Sequence, residues 1–442
     1  MSFPRYPKYK DSGVEWLGEV PAHWEVKRLK RAAHVFPSNV DKKSYEGETP
    51  VLLCNYTDVY YNETITPAID FMPATASADQ IAKFTLRAGD TIITKDSETA
   101  DDIAIAAYVP EDLPGVVCGY HLAVVRPEDG YAGAFIKRLF DSNYAKSCFA
   151  VLANGLTRMG LGQHELDNVE FPFPPRDEQC LIARFLEREV AKIDALVTEQ
   201  QRLIELLEEK RQAVISHAVT QGLNPDVPMK PSGVEWLGDV PERWEMKRLR
   251  VLFRQEKRQN QEGKEVLSVY RDYGVIRKSS RDDNFNKTPE NLDAYQLVNR
   301  GDLVINKMKA WQGSLGVSEF EGITSPDYMV FSPRHQESSA FLHFHLRSQR
   351  IVSVYRSISN GIRPSQWRLE PESFLSLPIF LPPIPEQEAL VSFVAEQIMK
   401  VDALSAEAER AIALLQERRT ALISAAVTGK IDVRGLARVH AA

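Results

Sequence analysis

The side chains best suited to chemistry in this sequence are basic and amide groups gathered in short polar stretches. The densest, residues 306–313, reads Asn-Lys-Met-Lys-Ala-Trp-Gln-Gly and follows a strand-like run that begins at Gly301-Asp302. Arg and Lys pair with guanine or phosphate, and Asn and Gln pair with adenine. A buried strand rarely continues into such a mixture. The stretch therefore predicts an exposed loop that contacts nucleic acid.

Similar stretches occur elsewhere in both halves of the chain. One spans residues 271–281, and another, residues 363–368, follows Asn360-Gly361. The corresponding places in the first half are residues 94–97 and 157–158. Each residue alone is equally typical of an ordinary solvated surface, so the prediction concerns the set, with no division into base and phosphate contacts. The candidate contacts are Lys95, Ser97, Arg158, Arg271, Arg277, Lys278, Arg281, Asn306, Lys307, Lys309, Trp311, Gln312, Arg363, Ser365, Gln366 and Arg368.

We find no catalytic motif beside these stretches. The sequence has no GxxxxGK[ST] phosphate loop, HExxH, GxSxG or GxGxxG motif. It also lacks the Asn/Asp-Pro-Pro-aromatic tetrapeptide of amino-methyltransferases. His343 and His345 fall on different faces of a predicted helix, which disfavours a shared metal. We therefore predict a non-catalytic chain with no metal or cofactor of its own.

The elements that must position these residues are repeated. Residues 12–29 and 232–249, here called the boxes, are identical at 14 of 18 positions. Residues 174–220 and 382–428 are identical at 22 of 47 positions. Both segments are too complex for chance similarity, so the chain is a duplicated frame of box, insert and helix. The two inserts, residues 30–173 and 250–381, share little sequence and should carry whatever differs between the halves.

The repeated segments behind the inserts predict two long helices. Apolar residues recur at helical spacing without Gly or Pro from Asp177 to about His217, and again in the second copy. Double prolines mark the entries, and Gly222 and Gly429 mark the ends. A lone helix would leave its apolar stripe in water, so an antiparallel coiled-coil pair with the inserts at opposite ends is favoured. Two independent domains, each with its own helical hairpin, are the alternative.

Each insert combines strand and helix signals. Strand-like runs occur at residues 91–94, 103–109 and 121–125 in the first insert, and at 266–270, 303–306 and 328–331 in the second. Each insert then continues into one predicted amphipathic helix, residues 131–153 or 339–359, closed by Asn-Gly. The predicted fold class is α+β: two mixed α/β domains separated by two long helices, with an internal pseudo-two-fold repeat.

The chain has 442 residues and a formal net charge of −7, which would ordinarily argue against nucleic acid. The acidity is uneven, however: residues 31–173 sum to −9 and residues 251–381 to +3. The four cysteines are widely spaced, as expected for reduced thiols in the cytoplasm. No apolar run is long enough for a membrane span, and no signal peptide is evident.

The PPxxEQ entries at residues 174–179 and 382–387, the helices behind them and the SGVEWLG…VPxxWE boxes resemble the specificity subunits of type I restriction–modification systems. The resemblance covers essentially the whole chain. It implies target recognition domains at residues 1–173 and 223–381 and long helices at 174–222 and 382–442. Each domain would read one half of an asymmetric, bipartite site in double-stranded DNA, while the helices set the spacer.

The resemblance also implies partners. Two modification subunits would dock on the helices and methylate adenine with S-adenosylmethionine, and restriction subunits would add translocation driven by ATP and Mg²⁺. These cofactors are expected on the partners only.

Two other functions fit the sequence less well. A scaffold with two protein-binding lobes would lack the steep salt dependence of phosphate binding. An enzyme with an unrecognised site would turn over substrate without a partner.

Overall fold

The computed structural model describes residues 3–261, 263–281, 288–289, 291–363 and 366–436. The chain forms two compact units, residues 1–200 with 410–442 and residues 201–409. We call them the first and the second unit. The points of division fall inside two long helices and not at the ends of the inserts.

The first unit contains thirteen strands within its described residues. They are β1 (Tyr9–Asp11), β2 (Glu19–Pro21), β3 (Glu25–Arg28), β4 (Ala33–Pro37), β5 (Thr49–Cys54), β6 (Met72–Ala76), β7 (Thr91–Thr94), β8 (Asp96–Ser97), β9 (Ala106–Tyr108), β10 (Val116–Cys118), β11 (Leu122–Pro127), β12 (Met159–Gly160) and β13 (Glu170–Phe173). Its short helices are α1 (Tyr56–Tyr60), α2 (Ala78–Phe84), α3 (Gly133–Phe140), α4 (Asn143–Leu152) and α5 (Gln163–Asn168). The long helix α6 (Arg176–Gln221) begins here and ends in the second unit.

The second unit repeats this plan. Its strands are β14 (Met229–Pro231), β15 (Asp239–Pro241), β16 (Glu245–Arg248), β17 (Phe253–Glu256), β18 (Leu267–Tyr270), β19 (Gly274–Arg277), β20 (Gln296–Val298), β21 (Leu303–Asn306), β22 (Leu315–Val317), β23 (Gly322–Thr324), β24 (Tyr328–Pro333) and β25 (Pro378–Leu381). Its short helices are α7 (Leu249–Leu252), α8 (Ser339–Leu346), α9 (Gln349–Ile358) and α10 (Pro371–Leu375). The long helix α11 (Ile384–Val427) begins in this unit and ends in the first.

Each unit is centred on a four-stranded antiparallel sheet. The order is β4-β11-β7-β9 in the first unit and β17-β24-β21-β22 in the second. The strand that follows Gly-Asp lies inside each sheet. It carries four buried side chains in succession in the first unit (β7) and three in the second (β21). The α+β class is therefore confirmed. The two inserts share a central sheet topology despite their divergent sequences.

The single amphipathic helix predicted in each insert is wrong. Residues 131–153 form α3 and α4, and residues 339–359 form α8 and α9. The helix is interrupted at Ser142 in one unit and at Ser348 in the other, because the backbone of these two residues is extended. Buried Ser142 accepts a hydrogen bond from the Ala145 amide, which satisfies one of the free donors at the start of α4. Apolar spacing carries through the break, so periodicity alone misses it.

The tryptophans of the boxes have two different environments. Trp24 and Trp244 are fully buried, and each belongs to the main core of its unit. Trp16, in contrast, is 58% exposed, and Trp236 is half-buried. The second tryptophan of each box is therefore a core anchor, and Trp16 is not.

The long helices of 46 and 44 residues confirm the helical pattern in the sequence. Gly222 directly follows the last residue of α6 and has a φ of +80°. Gly429 lies two residues beyond the last residue of α11 and has a φ of +74°. These left-handed values suit glycine and end each helix. Among the described residues, no helix combines the length and apolar character that crossing a membrane requires.

The long helices contribute to the core of each unit. In the first unit, Leu186 and Val190 of α6 share a core with Ile423 and Val427 of α11. In the second unit, Ala218 and Val219 of α6 share a core with Leu390 and Val394 of α11. Neither unit is therefore built from one continuous insert alone.

Candidate nucleic-acid interface

In the second unit, the residues after β21 form a compact, partly exposed loop. The indole Nε1 of Trp311 donates to the Met308 carbonyl at 3.0 Å, and Gly313 has a φ of +92°. Asn306 is half-buried, and its Oδ1 accepts a hydrogen bond from the Met308 amide at 3.1 Å. Lys309 and Gln312 are exposed. We call residues 306–313 the first loop of this unit.

The second loop, residues 360–368, lies against the first. Main-chain bonds of 3.0 and 2.9 Å join Asn360 to Arg368 in both directions and close its base. The Leu369 amide donates to the Lys307 carbonyl at 3.1 Å. The rings of Trp311 and Trp367 meet edge to face, with centroids 5.4 Å apart. Two stretches that are distant in sequence thus form one continuous surface.

The cations of these two loops differ from other cations of the second unit in their lack of carboxylate partners among the described residues. Among the described residues, no carboxylate pairs with Lys307, Lys309 or Arg363, and the exposed side chain of Gln366 lies beside them in the second loop. Arg368 is exposed, with its Nε 3.2 Å from the Met308 sulfur. Ser365 lies outside the described residues. Within the part of the chain that the structure describes, the two loops therefore present positive charge that no paired carboxylate neutralises.

The remaining basic stretch lies on and after the β18–β19 hairpin, and its side chains are already engaged. Arg271 lies 3.4 Å from Asp272, and Arg277 lies 3.3 Å from Glu265 with its guanidinium over Phe320. Lys278 donates to Thr288 at 2.8 Å, and Arg281 lies over Tyr273. These residues would have to exchange partners to bind a ligand.

The first unit has the same loop frame. Residues 95–98 follow β7, and β8 pairs with β12 through Ser97 and Met159. Main-chain bonds of 3.1 and 2.9 Å join Asn154 to Gly160 in both directions, as Asn360 joins Arg368. The Leu161 amide donates to the Lys95 carbonyl at 2.9 Å, as Leu369 does to Lys307. The second loop here is residues 154–160, which is shorter.

The side chains on this frame are different from those of the second unit. A cleft of about 410 Å³ is lined by Tyr56, Tyr60, Tyr61, Asp96, Asp102, His121 and Arg158, among others. Arg158 is exposed at its rim. The Lys95 ammonium lies 4.7 Å from the centre of the Tyr120 ring and 3.6 Å from Asp96. The first unit thus offers tyrosines and carboxylates where the second offers tryptophans and cations.

Ser97 departs from the exposed position expected of a contact residue. The residue is only 5% exposed, although it contributes to the lining of the cleft, and it pairs with Met159 of β12. The sequence around it, Lys95-Asp96-Ser97-Glu98, is polar throughout and gives no sign of this burial.

A buried aspartate supports the entry to the loop-bearing strand in each unit. Asp90 is fully buried and accepts from Arg126 Nε and Nη2 at 2.8 and 2.7 Å. Asp302 pairs with Arg258 in the second unit, where burial raises its pKa. The repeated Gly-Asp dipeptide is the sequence signal. Arg126 lies on β11, whereas Arg258 lies just after β17, so spacing could not reveal these partners.

His343 and His345 are structural residues. His345 is buried, its Nδ1 donates to the Val219 carbonyl at 2.6 Å, and its ring stacks on Phe341. His343 lies 2.6 Å from an Arg347 nitrogen. Burial lowers the pKa of both imidazoles to about 4. Within the described ranges, no cluster of His, Cys, Asp and Glu is suited to hold a metal ion.

Comparison with known proteins shows similarity to one sequence family and to a curated relative. Residues 21–206 match the sequence family described as the type I restriction modification DNA specificity domain. The chain is 21% identical over 436 residues to a putative type I restriction enzyme MjaX specificity subunit of Methanocaldococcus jannaschii, covering 95% of this chain and 96% of that relative.

Two solved structures share the fold along nearly the whole chain. The HsdS subunit of Thermoanaerobacter tengcongensis superposes with a TM-score of 0.52 and 16% identity, covering 93% of this chain and 98% of that one. A chain from a structure describing complex assembly and conformational transition of the type I R-M system gives a TM-score of 0.60 and 17% identity, covering 92% and 98%.

Proposed function

We propose that this chain, which is similar to specificity subunits of type I restriction–modification systems, is itself such a subunit. Each of its units would read one half of an asymmetric, bipartite DNA site. Specificity subunits are the non-catalytic members of these systems. Chemistry is therefore assigned to partner chains, and this chain selects the sequence on which they act.

The observation that carries the proposal is a repeated loop frame with different side chains. Both units join their two loops through the same main-chain bond, Leu161 to Lys95 and Leu369 to Lys307. Both close the second loop with a two-way bond from an Asn-Gly turn. A frame that is retained while its side chains diverge is what two readers of unlike sequences require.

The side chains indicate what each unit would read. Lys309 and Arg363 of the second unit suit guanine O6 and N7, and Gln366 suits adenine. In the first unit, Asp96 and Asp102 at the cleft can accept from an amino group such as cytosine N4, with Arg158 beside them for phosphate or guanine. The two half-sites would therefore differ in sequence, and the whole site would not be a palindrome.

The spacer between the half-sites would be set by α6 and α11 running antiparallel. An ion pair links Asp194 and Arg419 at 3.0 Å, and another links Arg211 and Asp402 at 3.2 Å. The first pair joins α6 to α11 within the first unit, and the second pair joins them within the second. These contacts support a helix pair that acts as a ruler. It would fix the phase of the two readers on DNA, as half-site spacing does for dimeric binders.

The same helices would dock two modification subunits. Leu196, Leu203 and Leu206 of α6 are 51%, 41% and 45% exposed, and their spacing places them along one side of the helix. Exposed apolar side chains in such a row are typical of a protein interface. S-adenosylmethionine would be bound by the modification subunits, and ATP and Mg²⁺ by restriction subunits.

Methylome sequencing with and without this chain, in cells that carry its modification partner, tests the proposal. We expect adenine methylation at one asymmetric split site that disappears without the chain. A second strain should carry a chain whose residues 250–381 come from another specificity subunit, with both boxes and both long helices unchanged. Only one half-site should then change. A change in both halves, or in neither, would show that the units do not read independently.

A further inference from the structure

The tips of the two Asn-Gly loops carry the most exposed large hydrophobic side chains among the residues that the structure describes. Leu156 has a relative exposure of 106% and Ile362 of 95%, and Tyr61 follows at 77%. Each directly follows its Asn-Gly dipeptide, so the two occupy equivalent positions in the two units. An exposed aliphatic side chain is ordinary when it occurs once. The same placement in two inserts of unlike sequence is not.

The loops present these side chains on a fixed base. Gly155 has a φ of +151°, and a Cβ atom there would collide with the Arg158 carbonyl. A Cβ atom on Gly361 would lie 2.7 Å from the Gln366 carbonyl. Asn154 and Asn360 also each exchange two main-chain hydrogen bonds with the residue at the other end of the loop. Together with the close approaches at the glycines, these bonds hold the two ends of each loop next to each other. The exposed side chain is thus set by the loop backbone and not by an absence of structure.

When a partner covers apolar surface that is exposed to water, the free energy falls. The neighbouring charges indicate which kind of partner. Arg158 lies two residues after Leu156, and Arg363 directly follows Ile362; both arginines are exposed. Each tip also belongs to the loop bonded to the first loop of its unit, through Lys95 or Lys307. An aliphatic side chain among cations suits the apolar part of a base pair behind a phosphate backbone.

We propose that Leu156 and Ile362 are specificity-determining residues that make apolar contact with base pairs, each within the half-site of its own unit. The inference rests on the proposed function and adds to it a pair of contacts with no hydrogen-bonding capacity. Such contacts take one of two forms in DNA complexes. The side chain either touches a thymine methyl group in the major groove or enters a base step and unstacks it.

The test uses the full chain in complex with its modification subunits, acting on the site identified by methylome sequencing. Leu156→Ser and Ile362→Ser should each lower the methylation rate at limiting DNA by roughly 10-fold or more, the size of one mismatched base pair. Leu156→Ile and Ile362→Leu should retain most of the rate. Val151→Ser and Val251→Ser, at side chains that are 68% and 60% exposed, are matched controls and should leave the rate unchanged.

Single base-pair changes in the site locate each contact. Leu156→Ser should reduce discrimination at a position in one half-site, and Ile362→Ser at a position in the other. DNA with uracil in place of thymine should reproduce the loss if a methyl group is touched. A rise in 2-aminopurine fluorescence that depends on Leu156 or Ile362 would identify an unstacked step instead.

The outcomes separate this inference from the proposed function. A wild-type complex that modifies no split site would refute the proposed function before any variant is compared. If the wild type modifies its site, and both serine variants unfold like the wild type and methylate at its rate with unchanged discrimination, only the role of Leu156 and Ile362 is overturned.

Discussion

Glu178 and Gln179 are neighbours that hold different parts of the first unit. The Glu178 carboxylate accepts from Tyr6 at 2.6 Å and from Trp24 Nε1 at 3.1 Å, and it lies 2.8 Å from His23. Gln179 accepts from the Ala132 amide at 2.9 Å, just before α3. Gln387 does the same for Ser338 before α8. The PPxxEQ motif therefore fastens the box with one side chain and the insert with the next.

Glu178→Ala should lower the free energy of unfolding of the first unit by about 2–3 kcal/mol, because it leaves the buried donors of Tyr6 and Trp24 without an acceptor. Urea unfolding followed by tryptophan fluorescence measures this. Glu386→Ala in the second unit is the matched comparison. It should cost less, because the Trp244 bond is 3.4 Å long. An equal cost in the two units would contradict the geometry.

His345 should make the second unit sensitive to mild acid. Burial holds its folded pKa at about 4, below the ordinary value of 6.5. Between these values the unfolded chain binds a proton that the folded chain does not, so stability falls as the pH falls from 6.5 to 4. The loss approaches about 3 kcal/mol at the lower end.

His345→Phe should remove the contribution of His345 and leave that of His343, whose pKa burial also lowers to about 4; the variant also gives up the hydrogen bond to Val219 at neutral pH. Urea midpoints at pH 7 and pH 5 should lie closer together in this variant than in the wild type. His217→Gln, at an exposed position on α6, should leave the difference unchanged. A wild-type protein with no change in midpoint between the two pH values would show that His345 is protonated without cost.

At the scale of elements, regular patterns were predictable and long-range partners were not. The repeats predicted the two long helices, because helical spacing and identity are local. The break before α4 depends on Ser142 capping three residues ahead while apolar spacing continues. The charged cluster of Glu63, Lys137, Arg138 and Arg419 joins residues hundreds of positions apart. Lys137, Arg138 and Arg419 lower the pKa of Glu63 to about 2, which outweighs the partial desolvation of its carboxylate.

The candidate interface follows the same division. The loop at residues 306–313 was predictable, since Lys, Asn, Gln and Trp together are atypical of a buried strand. Its union with residues 360–368 depends on main-chain bonds that no side-chain pattern encodes. The tyrosine-lined cleft of the first unit was missed because Tyr56 and Tyr60 lie on α1, far in sequence from Arg158.

The exposed row on α6 leads to a prediction about assembly. Leu203→Asp with Leu206→Asp should reduce co-purification of modification subunits at least about 10-fold, since buried interface positions carry most of the binding energy. Stability of the chain itself should change by less than about 0.5 kcal/mol per substitution. Leu223→Asp, at a similarly exposed leucine beyond the helix, is the control. Normal assembly by the double variant would move the docking surface elsewhere.

For the whole molecule, the charge distribution predicts weak DNA binding in isolation. The net charge is −7, and the first insert is its most acidic part. Specific binders typically neutralise several phosphates, with affinity that falls steeply in salt. We expect the isolated chain to bind its site far more weakly than the complex with modification subunits, measured by fluorescence anisotropy at 150 mM salt. Nanomolar affinity of the chain alone would contradict this.

The division of the chain also bears on biosynthesis. The second unit is one uninterrupted segment, residues 201–409, whereas the first is completed by residues 410–442. The core of the first unit includes Leu422, Ile423, Val427 and Val433, packed with Ile182 and Leu186. On the ribosome, the segment of residues 1–200 therefore waits with its apolar helix face uncovered until residues 410–442 emerge. The half that is translated first is the last to finish folding, and a chaperone that shields that face would act throughout synthesis of the other half.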